Sequence, residues 1–259
     1  MPKLIIVAGC NGAGKTTSSF IILPEILHCE EFVNADNIAA GISPLHPESV
    51  AFEAGRIMLT RIDQLMQAKA DFAFETTLST RSYVPLIKKA KDAGYTVTLC
   101  YFWLRSAQQA KNRVSSRVAK GGHHIPDDVI TRRYGRSLHN LTALYTPIAD
   151  KWLVYNNSDD EPTLVAEGER GYLKEIHQPH IWQLITKTYD VMEPTTPRMS
   201  ELARQLTEAL RKGVRKLVEH NAKLDQDMVY SDAQGNVQIV PAKEVLKKWE
   251  EEEKAAAGR

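Results

Sequence analysis

Residues 8–18 read AGCNGAGKTTS and lie between the apolar run KLIIV (3–7) and the helix-like FIILPEIL (20–27). Gly9, Gly14, Lys15 and Thr16 satisfy GxxxxGK[ST], a loop that follows a buried strand and opens a helix. Glycines and a helix N-terminus leave backbone N–H groups free for an anion. Gly9, Asn11, Gly12, Ala13 and Gly14 are therefore assigned to a phosphate cradle. Lys15 is placed across the β- and γ-phosphates, Thr16 on a Mg²⁺ ion and Thr17 near the α-phosphate.

The rest of the chain sets limits on this loop. With 259 residues and 43% hydrophobic content, it can bury one α/β core of roughly 150–190 residues and carry a smaller appendage. Its net charge of +1 provides no global field for nucleic acid or an anionic membrane, so phosphate recognition must be local. Nothing in MPKLIIVAG resembles a signal peptide, and no apolar run approaches the roughly 20 residues of a membrane span. A cytoplasmic protein without a membrane partner is expected. Cys10, Cys29 and Cys100 form no CxxC or Cys/His pattern, which fits ordinary thiols in a reducing compartment and offers no zinc site.

Strand and helix periodicities alternate through the first two thirds. Strands are expected at 3–9, 31–36, 71–76, 95–104 and 151–156. Helices are expected at 15–28, 48–69, 82–93, 106–119 and 127–145. The pattern predicts a P-loop NTPase fold, with a five-stranded parallel sheet flanked by helices and ligands beyond the strands' carboxyl ends. TLVAEGE (163–169) reads as a short edge strand and 171–190 as irregular helix. EPTTPR (193–198) reads as a linker. Beyond it, Leu202, Leu206, Leu210, Val214 and Leu217 make one helical stripe, 228–241 a hairpin, and the charged tail a helix. The expected division is a kinase-like unit over 1–190 and a helix-plus-hairpin unit over 199–259.

The glycine loop alone serves switch GTPases, transport ATPases and kinases, so the second and third strands decide. EFVNAD presents Asp36, a carboxylate able to take a proton from a hydroxyl that attacks the γ-phosphate; capping of the following helix is its other reading. DFAFETTLS ends in Glu75, Thr76, Thr77 and Ser79. Glu75 is suited to holding a Mg²⁺-bound water or orienting an acceptor, with loop polarity and capping as the alternative. No strand ends in the Asp-Glu pair of a transport ATPase and no LSGGQ-like stretch occurs. Asn156–Asp159 echoes NKxD without its lysine, which gives no ground for guanine specificity.

RVSSRVAKGGHHIPDDVITRRYGR (113–136) places arginines on two helices joined by Gly121-Gly122. This suits a lid that brings guanidinium groups onto a migrating phosphoryl and excludes water. Arg117 with Arg132 or Arg133 are the chosen contacts. A solvated basic face is the other reading, and a nucleic-acid patch a third. His123 and His124 lack a third ligand, so substrate contact or hinge packing is expected. Thr76, Thr77, Arg81 and His124 join Asp36 and Glu75 as candidate acceptor contacts.

Through AGCNGAGKTT, FVNAD, FETTLS, the 113–141 block and WLVYNNSDDEPTLVAEG, residues 1–170 resemble the zeta-toxin family of P-loop kinases, especially its short chromosomal members. The resemblance implies a mononucleotide-kinase-like sheet and ATP·Mg²⁺ as donor. It implies transfer to the 3′-hydroxyl of the amino sugar in UDP-N-acetylglucosamine, which starves cell-wall synthesis, although related effectors phosphorylate NAD. By position Lys15 matches the family's Walker lysine, Asp36 its base, Glu75 its acidic substrate residue, and Arg117 with Arg132 or Arg133 its lid arginines. Residues 199–246 look similar to small proteins encoded beside such kinases. This implies an antitoxin-like module that limits access to the site; a helix and hairpin completing the core or forming a dimer is the alternative. A housekeeping nucleotide or NAD-type kinase and a nucleotide-dependent switch are the competing functions.

Overall fold

The computed structural model describes residues 1–119, 121–122, 124–186, 199–231 and 237–257. His123, the expected linker at 193–198 and the hairpin tip at 232–236 lie outside them. In chain order the elements begin with β1 (Lys3–Gly9), α1 (Lys15–Glu25), β2 (Glu31–Val33), α2 (Ala35–Ile42), α3 (Ala51–Gln67) and β3 (Phe72–Thr76). They continue with α4 (Tyr83–Asp92), β4 (Thr96–Trp103), α5 (Ala107–Ala119), α6 (Asp127–Asn140) and β5 (Lys151–Asn156). The remainder is β6 (Thr163–Glu169), β7 (Tyr172–Ile176), α7 (Pro179–Thr186), α8 (Glu201–Lys223), β8 (Asp227–Ser231), β9 (Val237–Pro241) and α9 (Ala242–Ala257).

The main sheet has the order β2-β3-β1-β4-β5-β6-β7. Its first five strands are parallel, as expected, but the sheet has seven strands rather than five. Strand β6 runs antiparallel to β5, and β7 antiparallel to β6, so residues 163–169 are not the edge strand expected and β7 takes that place. Residues 172–176, expected as helix, are this last strand. A parallel return needs a crossover helix, whereas two left-handed residues suffice for an antiparallel one. Arg170 (φ 50) and Gly171 (φ 80) supply them, joining the paired residues Glu169 and Tyr172.

Period-two burial divides the core between the two faces of the sheet. Leu4 and Ile6 point to one face with Phe72, Phe74, Met58 and Ile62; Ile5 and Val7 point to the other with Ile22, Leu23, Phe102 and Tyr155. That second face also receives Ala203, Leu206 and Leu210 from α8. The first half of the leucine stripe thus packs on the sheet. The start of α8 is pinned by buried Glu167 of β6, whose Oε1 accepts the Ser200 N–H at 2.7 Å while Oε2 accepts its hydroxyl. Val218, Ala222, Met228, Ala242 and Val245 close a smaller cluster between α8, the hairpin and α9.

Two boundaries matter for the site. The second strand stops at Val33 because Asn34 leaves the ladder and caps α2, its Oδ1 accepting from the N–H groups of Asp36 (2.8 Å) and Asn37 (3.3 Å). Asp36 therefore stands in the first turn of a helix, not at a strand tip, and the cap role considered for it belongs to Asn34. The helix expected over 127–145 ends at Asn140 in one wider turn, Leu141–Tyr145. There the Thr146 N–H reaches the Leu141 carbonyl at 2.9 Å.

Candidate active site

The loop between β1 and α1 lies at the carboxyl end of the central strand, where parallel sheets leave a crevice. Gly14 caps α1 at φ 76, and a Cβ there would stand 2.6 Å from Asn157 Nδ2. Only glycine admits both the conformation and the approach. Asn157 follows β5 and donates to the Ala13 carbonyl at 2.7 Å, clamping the loop from outside.

Lys15 and Glu75 form the electrostatic centre. Their side chains are 7% and 8% exposed, and Lys15 Nζ stands 3.4 Å from Glu75 Oε1 while donating to the Cys10 carbonyl at 3.1 Å. Glu75 Oε2 accepts from the Thr16 hydroxyl at 2.8 Å and from Asn34 Nδ2 at 2.9 Å. One buried carboxylate thus binds the loop, the first turn of α1 and the end of β2 together. Burial pushes the Cys10 thiol up to about 11 against the opposing pull of Lys15 and Arg113, so it stays neutral. Cys29 and Cys100 are likewise buried free thiols, raised to about 11 and about 12.

A cleft of about 180 Å³ opens over this centre, lined by Asn11, Lys15, Asn34, Asp36, Glu75, Thr76, Thr77, Tyr83 and Arg133. Arg133 reaches across from α6 and donates to Asn11 Oδ1 at 3.3 Å. The Thr76 hydroxyl is engaged by the Leu78 N–H at 3.0 Å, and Thr77 pairs with Ser79 at 2.8 Å. Leu78 adopts φ 59, and Asn140 of α6 grips its carbonyl at 2.8 Å. These bonds fix the turn that carries Thr77 to the cleft wall. A wider groove of about 800 Å³ between β2, α2 and α3 shares Asn34 with the cleft and includes Asn37, Phe52 and Arg56.

A second cleft of about 530 Å³ opens on the other side of the loop, with Gly12, Gly14, Thr17, Arg113, Arg117 and Asn157 among its lining. The expected site residues are thus divided. Lys15, Asp36, Glu75, Thr76, Thr77 and Arg133 meet in the small cleft, whereas Thr17 and Arg117 meet in the large one. Arg132 and His124 are exposed, and Arg81 is exposed on the turn before α4; none of the three lines either cleft. Asn34, Asn157 and Tyr83 join the site although none is a candidate contact in the sequence motifs above. Asn34 carries a cap signal, an Asn followed by helix-compatible residues, whereas Asn157 and Tyr83 reach the site only through the fold.

The Thr16 hydroxyl and Glu75 carboxylate are hard oxygen donors beside the loop, and they fit a divalent cation such as Mg²⁺. Asn156 Nδ2 braces Asp159 at 3.0 Å, and Asp159 pairs with Arg105. That Asn/Asp pair builds a turn.

A strand–glycine-loop–helix at the centre of a mostly parallel sheet flanked by helices, one of which brings Arg133 to the loop, defines the P-loop kinase fold. The zeta toxin profile matches residues 1–167, and the chain belongs to the zeta toxin family. Residues 194–251 match a domain of unknown function, DUF8506. An uncharacterized protein of Haemophilus influenzae is 30% identical over 132 residues, covering 51% of this chain and 92% of that one. Among solved structures, AvrRxo1-ORF1:AvrRxo1-ORF2 with sulphate ions aligns at TM-score 0.59 and 17% identity, over 83% of this chain and 76% of that one. The PezAT chromosomal toxin-antitoxin system of Streptococcus pneumoniae aligns at 0.55 and 15%, over 84% and 87%. At these identities the likeness concerns the fold. No helix among the described residues is long and apolar enough to cross a membrane.

Proposed function

We propose that the chain is an ATP-dependent kinase that moves the γ-phosphate to a hydroxyl of a nucleotide-sugar such as UDP-N-acetylglucosamine, acting as the toxin of a toxin–antitoxin pair. The observation that carries this reading is that Lys15, Asp36, Glu75 and Arg133 line one cleft against the glycine loop. The catalytic unit is residues 1–190, with 199–259 appended. Asp36 accepts the proton of the attacking hydroxyl. The new bond joins that oxygen to the γ-phosphorus, the bond from phosphorus to the β–γ bridging oxygen breaks, and ADP leaves. Lys15 and Arg133 offset charge on the phosphoryl oxygens. Thr16 and Glu75 are the residues to hold Mg²⁺, which neutralises phosphate charge when bound. The groove at Asn34, walled by Phe52 and Arg56 with Glu31, Glu53 and Arg61, gives room for an acceptor larger than a free sugar.

Phosphorus NMR of ATP with UDP-N-acetylglucosamine, NAD or nucleosides tests this. A new phosphomonoester on the UDP-sugar is the expected result. A phosphomonoester on NAD or a nucleoside instead would transfer the reading to the housekeeping kinase, and none on any acceptor would end the transferase reading.

A further inference from the structure

The larger cleft has a wall that the kinase unit does not supply. It starts at Gly14 and Thr17 and passes the lid arginine Arg117, but its far side is Leu210, Val214 and Leu217 of α8 with Met228 of β8. The stripe on α8 is divided between two uses. Leu206 and Leu210 are buried in the sheet's core, whereas Leu217, one turn and more beyond, is 38% exposed. Apolar side chains and a guanidinium in the wall of one open cleft, with the carboxylates of Asp159 and Asp160 beside them, suit a flat heteroaromatic ring that carries amino groups, its faces taking apolar contact and a cation. The volume, about 530 Å³, lies within the roughly 300–1,000 Å³ of small-molecule sites. The position is also informative. Thr17 follows the two residues assigned to the terminal phosphates, and the cleft containing Lys15 and Asp36 opens on the opposite side of the loop. A nucleotide whose phosphates lie along the loop would place its nucleoside on the Thr17 side.

We propose that α8 and β8 complete the donor's nucleoside pocket, with the base seated between Arg117 and the Val214–Leu217 surface. The carboxyl-terminal segment is then part of the nucleotide site rather than a plug in it. This rests on the kinase reading above, because it takes the glycine loop as the seat of the donor's phosphates.

The test compares two ligands on the full chain by titration calorimetry: ATP, and inorganic tripolyphosphate, which has the phosphates and no nucleoside. Two variants are used. Leu217→Ser removes apolar contact at a partly exposed position, and Val214→Trp fills the cleft. ATP should bind about fivefold more weakly to the first and at least about tenfold more weakly to the second, with tripolyphosphate affinity within twofold of wild type in both. Retained tripolyphosphate binding also shows that each variant has folded. Unchanged ATP affinity in both variants overturns the inference. So does tighter ATP binding by Leu217→Ser, the result expected if α8 obstructs the site. A wild-type chain that binds neither ligand overturns the phosphate-loop reading and this inference with it, an outcome distinct from the other two.

Discussion

Replacing Glu75 by Gln keeps the outline of the side chain and removes one charge from the buried centre of the site. At the observed 3.4 Å, the attraction between Lys15 and Glu75 is about 5 kcal/mol for an effective dielectric constant of about 20. Part of this offsets the cost of holding both charges away from water, and breaking such a pair from one side costs about 3–5 kcal/mol. The amide oxygen still accepts from Thr16 or Asn34, so the loss should lie near the lower end, about 3 kcal/mol. For a urea m-value of about 2–3 kcal/mol/M, the unfolding midpoint falls by about 1 M. Phosphate binding should move in the opposite direction. In the wild-type chain Lys15 must leave Glu75 to meet an anion, and in the variant only the neutral Cys10 carbonyl holds it, so tripolyphosphate with EDTA present should bind up to about tenfold more tightly. Urea melts and calorimetry on one preparation would measure both. A midpoint equal to wild type would refute the pair's energetic role. Weakened tripolyphosphate binding would refute the competition between carboxylate and phosphate for Lys15.

Asp36→Asn should abolish phosphoryl transfer while leaving ATP affinity within about twofold, because under the proposed function its exposed carboxylate takes the acceptor's proton in the small cleft; Lys15→Ala should weaken both binding and transfer, as calorimetry and a coupled ADP assay would show. Asp160, half-buried in the large cleft, has its carboxyl raised above the ordinary value chiefly by burial. The folded state therefore binds this proton more tightly than the unfolded chain, and the group costs stability once pH rises past the ordinary aspartate value toward the raised one. Asp160→Asn should be the more stable chain near neutrality, with the difference vanishing as pH falls below that window. Urea midpoints between roughly pH 3 and pH 7 would show it, and a constant difference would refute the assignment.

What could be read from the sequence was what depends on local chemistry. The loop was legible because backbone N–H groups, a glycine at a left-handed position and a lysine suffice to define it, and because Leu4 to Ala8 are buried whichever face they point to. Asp36 lines the cleft that holds Lys15, but from a helix and not from the strand tip its sequence suggests. FVNAD has strand character, but Asn34 captures two amides and turns the chain into helix three residues early. Residues 172–176 read as helix because Leu173 and Ile176 also fit helical spacing, while the reversal rests on the left-handed Arg170-Gly171 pair. Arg132 and Arg133 are adjacent and equally basic. Only the phase of α6 against the loop decides that Arg133 reaches Asn11, and that phase is set by packing against β4 and α5, not by the residues themselves.

The division of the site by its own loop also bears on specificity. The small cleft is built from short-range contacts around Glu75, where four groups from three elements converge within hydrogen-bond reach, so a single charge change there alters geometry and affinity together. The larger cleft is built from elements far apart in sequence, α5, the turn after β5, α8 and β8; Gln109 and Arg113 tie α5 to the carbonyls of that turn, while α8 meets it through the exposed Arg211–Glu161 pair. A phosphate-transfer chemistry fixed by the first arrangement is thus compatible with a nucleoside preference tuned by the second. Under the inference above, sequence change in residues 199–231 should alter which nucleotide is bound before it alters whether phosphate is transferred.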